Sequence, residues 1–167
     1  PAGTGLGSSS SYTVGLLHSL YTYIDKTVSK EVLANEACEL EIKRLKEPIG
    51  KQDQYSASYG GLNIIKFNID GKVDVKPLLL NPEVYNCLQN NLLLFYTGIS
   101  RNASDVLYDQ RKNMQNDKEK FDCLIRMTEL VEESASHLKN ENLESFAETL
   151  DKNWNLKRNL SGKITNS

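Results

Sequence analysis

The sequence predicts an α+β protein whose first part mixes strands with helices and whose last part is helical throughout. Three observations carry this. A glycine- and serine-rich opening, Pro1 to Ser11, runs straight into a stretch with helically spaced apolar residues. Two runs of strand character flank the tight-turn pair Asp70-Gly71. From Phe121 to Leu160 the apolar residues keep a helical period.

Taken in order, Tyr12 to Ile24 places Val14, Leu17 and Leu20/Tyr21 at helical spacing, with Leu16 and Ile24 close by. The serines ahead of it sit where N-caps belong. Ser29 is the expected N-cap of a second helix, with Glu31 and Glu36 in its early turns. Val32, Leu33, Ala37, Leu40 and Leu45 form its apolar face, and Pro48 and Gly50 end it. Gln52 to Tyr59 is short, polar and aromatic, and Gly60-Gly61 breaks it. Leu62 to Phe67 reads as a strand, and Val73, Val75 and Pro77 alternate beyond the turn, so a hairpin is expected. Pro82 starts a short helix through Leu88. The unbroken apolar run Leu92 to Tyr96 fits a buried strand. Ala103 to Leu107 opens a helical region. Phe121, Leu124, Thr128, Val131, Ala135 and Leu138 mark one long helix, and Leu143, Phe146, Leu150, Trp154 and Leu160 mark a second, joined near Asn140 to Asn142. A boundary is expected between residues 80 and 100, and the chain has no internal repeat.

A net charge of -2 over 167 residues gives no electrostatic case for nucleic acid or an anionic membrane. No apolar run approaches the roughly 20 residues of a bilayer span, and nothing resembles a secretory leader. Cys38, Cys87 and Cys123 are an odd, widely spaced set, which suits reduced thiols of a cytoplasmic protein better than a disulfide framework. His18 and His137 are isolated, so a zinc site is not expected. The opening Pro-Ala-Gly-Thr-Gly is a loop with nothing ahead to position it, and it reads as internal to a longer protein.

Three groups of residues could carry chemistry. In the first, Gly3, Gly5 and Gly7 with Leu6 and the serines Ser8, Ser9, Ser10 and Ser11 form a loop entering a helix. Glycine removes the Cβ that blocks close approach of an anion to backbone N–H groups and permits positive φ. The helix N-terminus adds free N–H groups, and the serines add hydroxyls for a phosphate or a magnesium ion. The loop lacks the Gly-Lys-Ser/Thr ending of the common nucleotidases and the third glycine of the dinucleotide fingerprint; a linker or plain helix cap is its alternative reading. In the second group, Glu41 lies on the helix leading into Pro48-Ile-Gly50-Lys51-Gln52-Asp53-Gln54-Tyr55. Two carboxylates so placed suit a magnesium-phosphate site, one as metal ligand and the other facing a substrate hydroxyl. The competing readings are a surface glutamate beside Lys43 and Arg44, and a turn-capping Asp53. The third group is Tyr96-Thr97-Gly98-Ile99-Ser100-Arg101, where an arginine and hydroxyls follow the apolar run and suit a sugar or a phosphate; an incidental loop arginine is the alternative. Tyr21, Tyr23, Tyr55 and Tyr59 suit either stacking on a base or sugar, or core packing.

Together these motifs resemble the kinase superfamily named after its galactose, homoserine, mevalonate and phosphomevalonate members. The loop Pro1-x-Gly3-x-Gly5-Leu6-Gly7-Ser8-Ser9 resembles its second signature motif, which binds ATP phosphates and magnesium. Glu36 to Glu41, Pro48 to Tyr55 and Phe95 to Arg101 are most similar to the D-glycero-D-manno-heptose 7-phosphate kinases. The resemblance implies a two-lobe fold, incomplete at both ends, with residues 1–80 in an N-terminal ATP-binding lobe and residues 81–167 in a helix-rich part of a ferredoxin-like C-terminal lobe. It implies ATP and Mg2+ as cofactors, a sugar phosphate as small-molecule partner, a cytoplasmic enzyme that binds neither nucleic acid nor membrane, and room for a homodimer. It implies Asp53 as base or orienting group at the anomeric hydroxyl, and Gly3, Gly5, Leu6, Gly7, Ser8, Ser9 and Ser10 at the phosphates. Glu41 and Ser9 would then hold the metal, with Ser8 competing for the serine's place, and Thr97 and Arg101 would lie near the sugar. The first and third signature motifs fall outside Pro1 to Ser167, and this stretch alone is expected to be inactive. Fucose or galactose as substrate, or a non-catalytic protein of this fold, are the alternatives.

Overall fold

The computed structural model describes residues 5–96, 107, 117–160 and 164. They fall into two compact units, one drawn from Pro1–Pro77 and the other from Leu78–Thr97 and Asp105–Ser167. Among the described residues, one two-stranded sheet with otherwise helical elements gives an α+β, helix-rich fold.

In the first unit, helix α1 spans Ser8–Tyr23 and α2 spans Lys30–Cys38. A π-helical segment, Glu39–Arg44, continues α2, and α3 spans Gln52–Tyr59. Strands β1 (Asn63–Phe67) and β2 (Val73–Pro77) form an antiparallel hairpin with Ile65 opposite Val75 and Phe67 opposite Val73. Gly71 closes its turn at φ 87°, and the Asp70 carboxylate accepts from the Lys72 N–H at 2.9 Å. Ser29 caps α2 as expected, accepting from Val32 N at 3.2 Å. The core has two adjoining clusters. Val14, Leu33 and Ala37 pack with Leu17, Tyr21, Val28 and Ala57. Ala34, Cys38 and Tyr55 pack with Ile42, Tyr59, Ile65, Val73 and Val75.

Several elements differ from the sequence expectation. Helix α1 begins at Ser8, and its N-cap is Gly7 at φ 64° with no side-chain cap. The serines are therefore first-turn residues, because the Ser9 and Ser10 hydroxyls bond elsewhere. The second helix widens after Cys38 into π geometry, where Leu45 N bonds Leu40 O at 2.9 Å, and Leu45 turns outward, 69% exposed. Gln52–Tyr59, read only as polar and aromatic, is a helix. Tyr55 is a core residue, stacked on Tyr59 and edge-on to Phe67 at centroid distances of 6.1 Å each, whereas Tyr23 is exposed.

In the second unit, α4 spans Pro82–Asn90, α5 spans Lys118–Lys139 and α6 spans Leu143–Arg158. Asn81 caps α4 ahead of Pro82, and Asp117 caps α5 through bonds to Glu119 N and Lys120 N at 3.0 and 3.3 Å. Helices α5 and α6 form a hairpin around buried Leu130, Ala135, Leu138 and Thr149. Its corner is Asn140 to Asn142, with Glu141 at φ 60° and the Asn142 side chain accepting from Ser145 N at 3.0 Å. Asn142→Ala is expected to cost about 1 kcal/mol by removing that cap, read as a lower unfolding midpoint of the helical hairpin. Leu92 to Tyr96 is not a buried strand: its residues carry no regular structure and are exposed. A buried strand needs pairing and covered faces, whereas Leu92 to Tyr96 pairs with no strand among the described residues and stays exposed.

Candidate active site

The site is built where α1, the π segment and α3 meet. Gly5 and Gly7 sit at φ 74° and 64°, in the left-handed region that favours glycine. The backbone ladder of α1 starts with Ser11 N to Gly7 O at 2.9 Å. The N–H groups of Ser8, Ser9 and Ser10 therefore lack intrahelical acceptors. No acidic residue lies in this first turn, so the negative charge that faces the positive end of the helix comes from other elements, through Glu41 and Asp53. Leu6 is exposed beside them.

Glu41 is not a surface glutamate; it is 1% exposed. Its Oε1 accepts from the Ser9 hydroxyl at 2.5 Å, and its Oε2 accepts from the Ser10 hydroxyl at 2.8 Å and from Gln54 Nε2 at 2.6 Å. All three donors are neutral, and among the described residues no Lys, Arg or His pairs with this carboxylate. The helix start, the π segment and α3 are thus tied at one carboxylate.

Asp53 occupies the first turn of α3 and is exposed. A Cβ added to Gly7 would stand 3.3 Å from its Cγ and Oδ2, so the carboxylate rests against the loop glycine. The structure therefore brings together Gly5, Leu6, Gly7, Ser8, Ser9, Ser10, Glu41 and Asp53. Gly3, Thr97 and Arg101 lie outside the described residues. Two partners were missed from sequence: Ser10 as a bond to Glu41, and Gln54, which is fully buried. Gln54 follows Asp53 directly, but its inward direction emerges only once Gln52–Tyr59 is known to be helical.

Behind Glu41, burial pushes the Cys38 thiol up to about 11, against the opposing Lys51 charge and with a smaller rise from the Glu41 charge. Cys38 is expected to resist a maleimide at neutral pH while exposed Cys87 reacts, read by mass spectrometry before and after unfolding. Because the folded pKa is raised, the neutral thiol's contribution to stability is complete below the unfolded value and is lost as pH rises through about 11. Among the described residues no cluster of three His, Cys, Asp or Glu could hold a metal unaided, and no helix is long and apolar enough to cross a membrane.

Residues 1–61 match the GHMP kinases N terminal domain family. Over 166 residues the chain is 27% identical to the D-glycero-alpha-D-manno-heptose 7-phosphate kinase of Campylobacter jejuni, covering 99% of this chain and 49% of that protein. It is also 27% identical over 169 residues to the bifunctional fucokinase/GDP-fucose pyrophosphorylase of Arabidopsis thaliana, covering 16% of that protein. Among solved structures, a D-glycero-D-manno-heptose 1-phosphate kinase from Bacteriodes thetaiotaomicron superposes with a TM-score of 0.70 at 25% identity, over 95% of this chain and 45% of that one. The chain spans about half the length of these heptose kinase relatives.

Proposed function

We propose, from a chain whose residues 1–61 are a GHMP kinase N-terminal domain, that the protein carrying it is an ATP-dependent sugar kinase. Its acceptor in this reading is the anomeric hydroxyl of a heptose 7-phosphate, and its product a sugar 1-phosphate for bacterial surface-polysaccharide precursors. One observation carries the reading: the helix-terminal loop, a buried carboxylate and an exposed carboxylate converge at Gly7, Glu41 and Asp53.

Phosphoryl transfer asks a protein mainly for positioning and charge neutralisation. The free N–H groups at Ser8 to Ser10 hold the β- and γ-phosphates. Asp53, exposed beside that loop, orients the acceptor hydroxyl and takes its proton. Thr97 and Arg101 bind the sugar side. The donor set fits magnesium: Glu41 and Ser9 offer hard oxygens, the Glu41 charge has no cationic partner among the described residues, and a nucleotide-borne Mg2+ needs only one or two protein oxygens. Bound there, Mg2+ would neutralise phosphate charge. The unit drawn from Pro1–Pro77 belongs in this reading to the ATP-binding lobe, and the helical unit to the ferredoxin-like lobe.

The similarity to a fucokinase at the same 27% identity favours a second reading, a related kinase for fucose or galactose. A coupled ADP-release assay of the full-length protein over heptose phosphates, free heptoses, fucose and galactose separates the two. Turnover is expected to be highest on heptose 7-phosphate. Preference for an unphosphorylated hexose supports the second reading, and silence on every sugar supports a non-catalytic protein of this fold.

A further inference from the structure

We propose that Gln54 is the positioning residue of this site, fixing the Glu41 carboxylate in the orientation that meets the metal-bound nucleotide. The proposal rests on the kinase reading above and adds a residue to it.

Gln54 is fully buried, and its Nε2 donates to Glu41 Oε2 at 2.6 Å. The Ser10 hydroxyl donates to the same oxygen. Two buried donors therefore anchor Oε2, and Oε1 is left to Ser9, the more exposed of the two serines. The other end of the amide is orphaned: Gln54 Oε1 is buried with no hydrogen-bond partner. An unpaired buried acceptor is costly, and a leucine or methionine of similar volume would avoid it. The amide earns its place only through Nε2. Turning it over would set Oε1 against the carboxylate, acceptor against acceptor, so the orientation is fixed by chemistry. Gln54 is also the immediate neighbour of Asp53 on α3. One short helix thus carries the carboxylate that faces the acceptor hydroxyl and the amide that holds the carboxylate assigned to the metal.

The test uses the full-length protein and titrates a non-hydrolysable ATP analogue calorimetrically, with Mg2+ and again with a chelator in its place. Gln54→Leu keeps the volume and removes the donor. Freed of one anchor, Glu41 should cost the analogue about 10-fold in affinity with Mg2+, the lower end for losing a group that orients a metal ligand, and less than about 2-fold without it. In the Glu41→Gln background the further effect of Gln54→Leu should vanish, as expected for a residue that acts through Glu41. Equal loss with and without Mg2+, no loss in either, or full additivity with Glu41→Gln would overturn the proposal. Where Gln54→Leu does not fold, judged by its thermal midpoint, Gln54→Met is read by the same criteria. Absence of turnover on every sugar would sink the functional reading yet leave this titration intact. A parent that binds the analogue equally with and without Mg2+ would overturn the role of Gln54.

Discussion

If the full-length protein is the proposed kinase, replacing its Asp53 by Asn is expected to lower kcat by roughly 10²- to 10⁴-fold, the range for removing a general base, with nucleotide affinity nearly unchanged. The substitution keeps the shape of the side chain and its contact with Gly7 while removing the charge. Asp53 is exposed at the first turn of α3, so the change leaves no buried group unsatisfied and stability should move by less than about 0.5 kcal/mol. Steady-state kinetics, analogue titration and thermal unfolding measured side by side make this decisive. Unchanged turnover removes Asp53 from the mechanism. A parallel loss of nucleotide binding makes it part of the phosphate site instead.

Gly7→Ala approaches the same carboxylate from the other side. The residue sits at φ 64°, which costs a non-glycine residue about 1 kcal/mol, and the new Cβ would lie 3.3 Å from the Asp53 carboxylate, tighter than ordinary contact. Modest destabilisation and a displaced Asp53 are expected together, seen as a lower kcat and a lower melting midpoint in the same variant.

The loop was legible because glycines followed by serines at the head of an apolar-periodic stretch have few structural uses. The hairpin was legible because Asp70-Gly71 names its own turn. Glu41 was harder. Leu33, Ala37 and Glu41 are spaced by four, so the buried face of α2 points through Ala37 to Glu41. Its charge and its neighbours Lys43 and Arg44 argued for solvent, and its burial rests on three donors distant in sequence, the Ser9 and Ser10 hydroxyls 32 and 31 positions away and the Gln54 amide 13 positions away. Gln54 needed the same long-range information. Leu92 to Tyr96 failed for the complementary reason: composition reports that a segment is apolar, whereas strand pairing depends on an edge elsewhere in the chain.

Glu41 also carries the largest expected effect on stability. In Glu41→Ala the Gln54 amide and the Ser10 hydroxyl, both buried, lose their acceptor, at about 1–3 kcal/mol for each unsatisfied group. Ser9 is exposed and turns to water at little cost. A loss of several kcal/mol is comparable with the whole stability of many domains, so Glu41→Ala should accumulate unfolded or aggregated. Glu41→Gln separates architecture from charge. Its Oε1 still accepts, and a serine hydroxyl can rotate to accept from the new amide N–H. Its midpoint should therefore fall far less than that of Glu41→Ala, while Mg2+-dependent nucleotide affinity falls about 10-fold or more for want of the carboxylate. A Glu41→Gln protein that binds the Mg2+-nucleotide as the parent does would make Glu41 a purely structural acceptor. The metal would then rest on the phosphates and serine alone, and the buried charge would need another explanation.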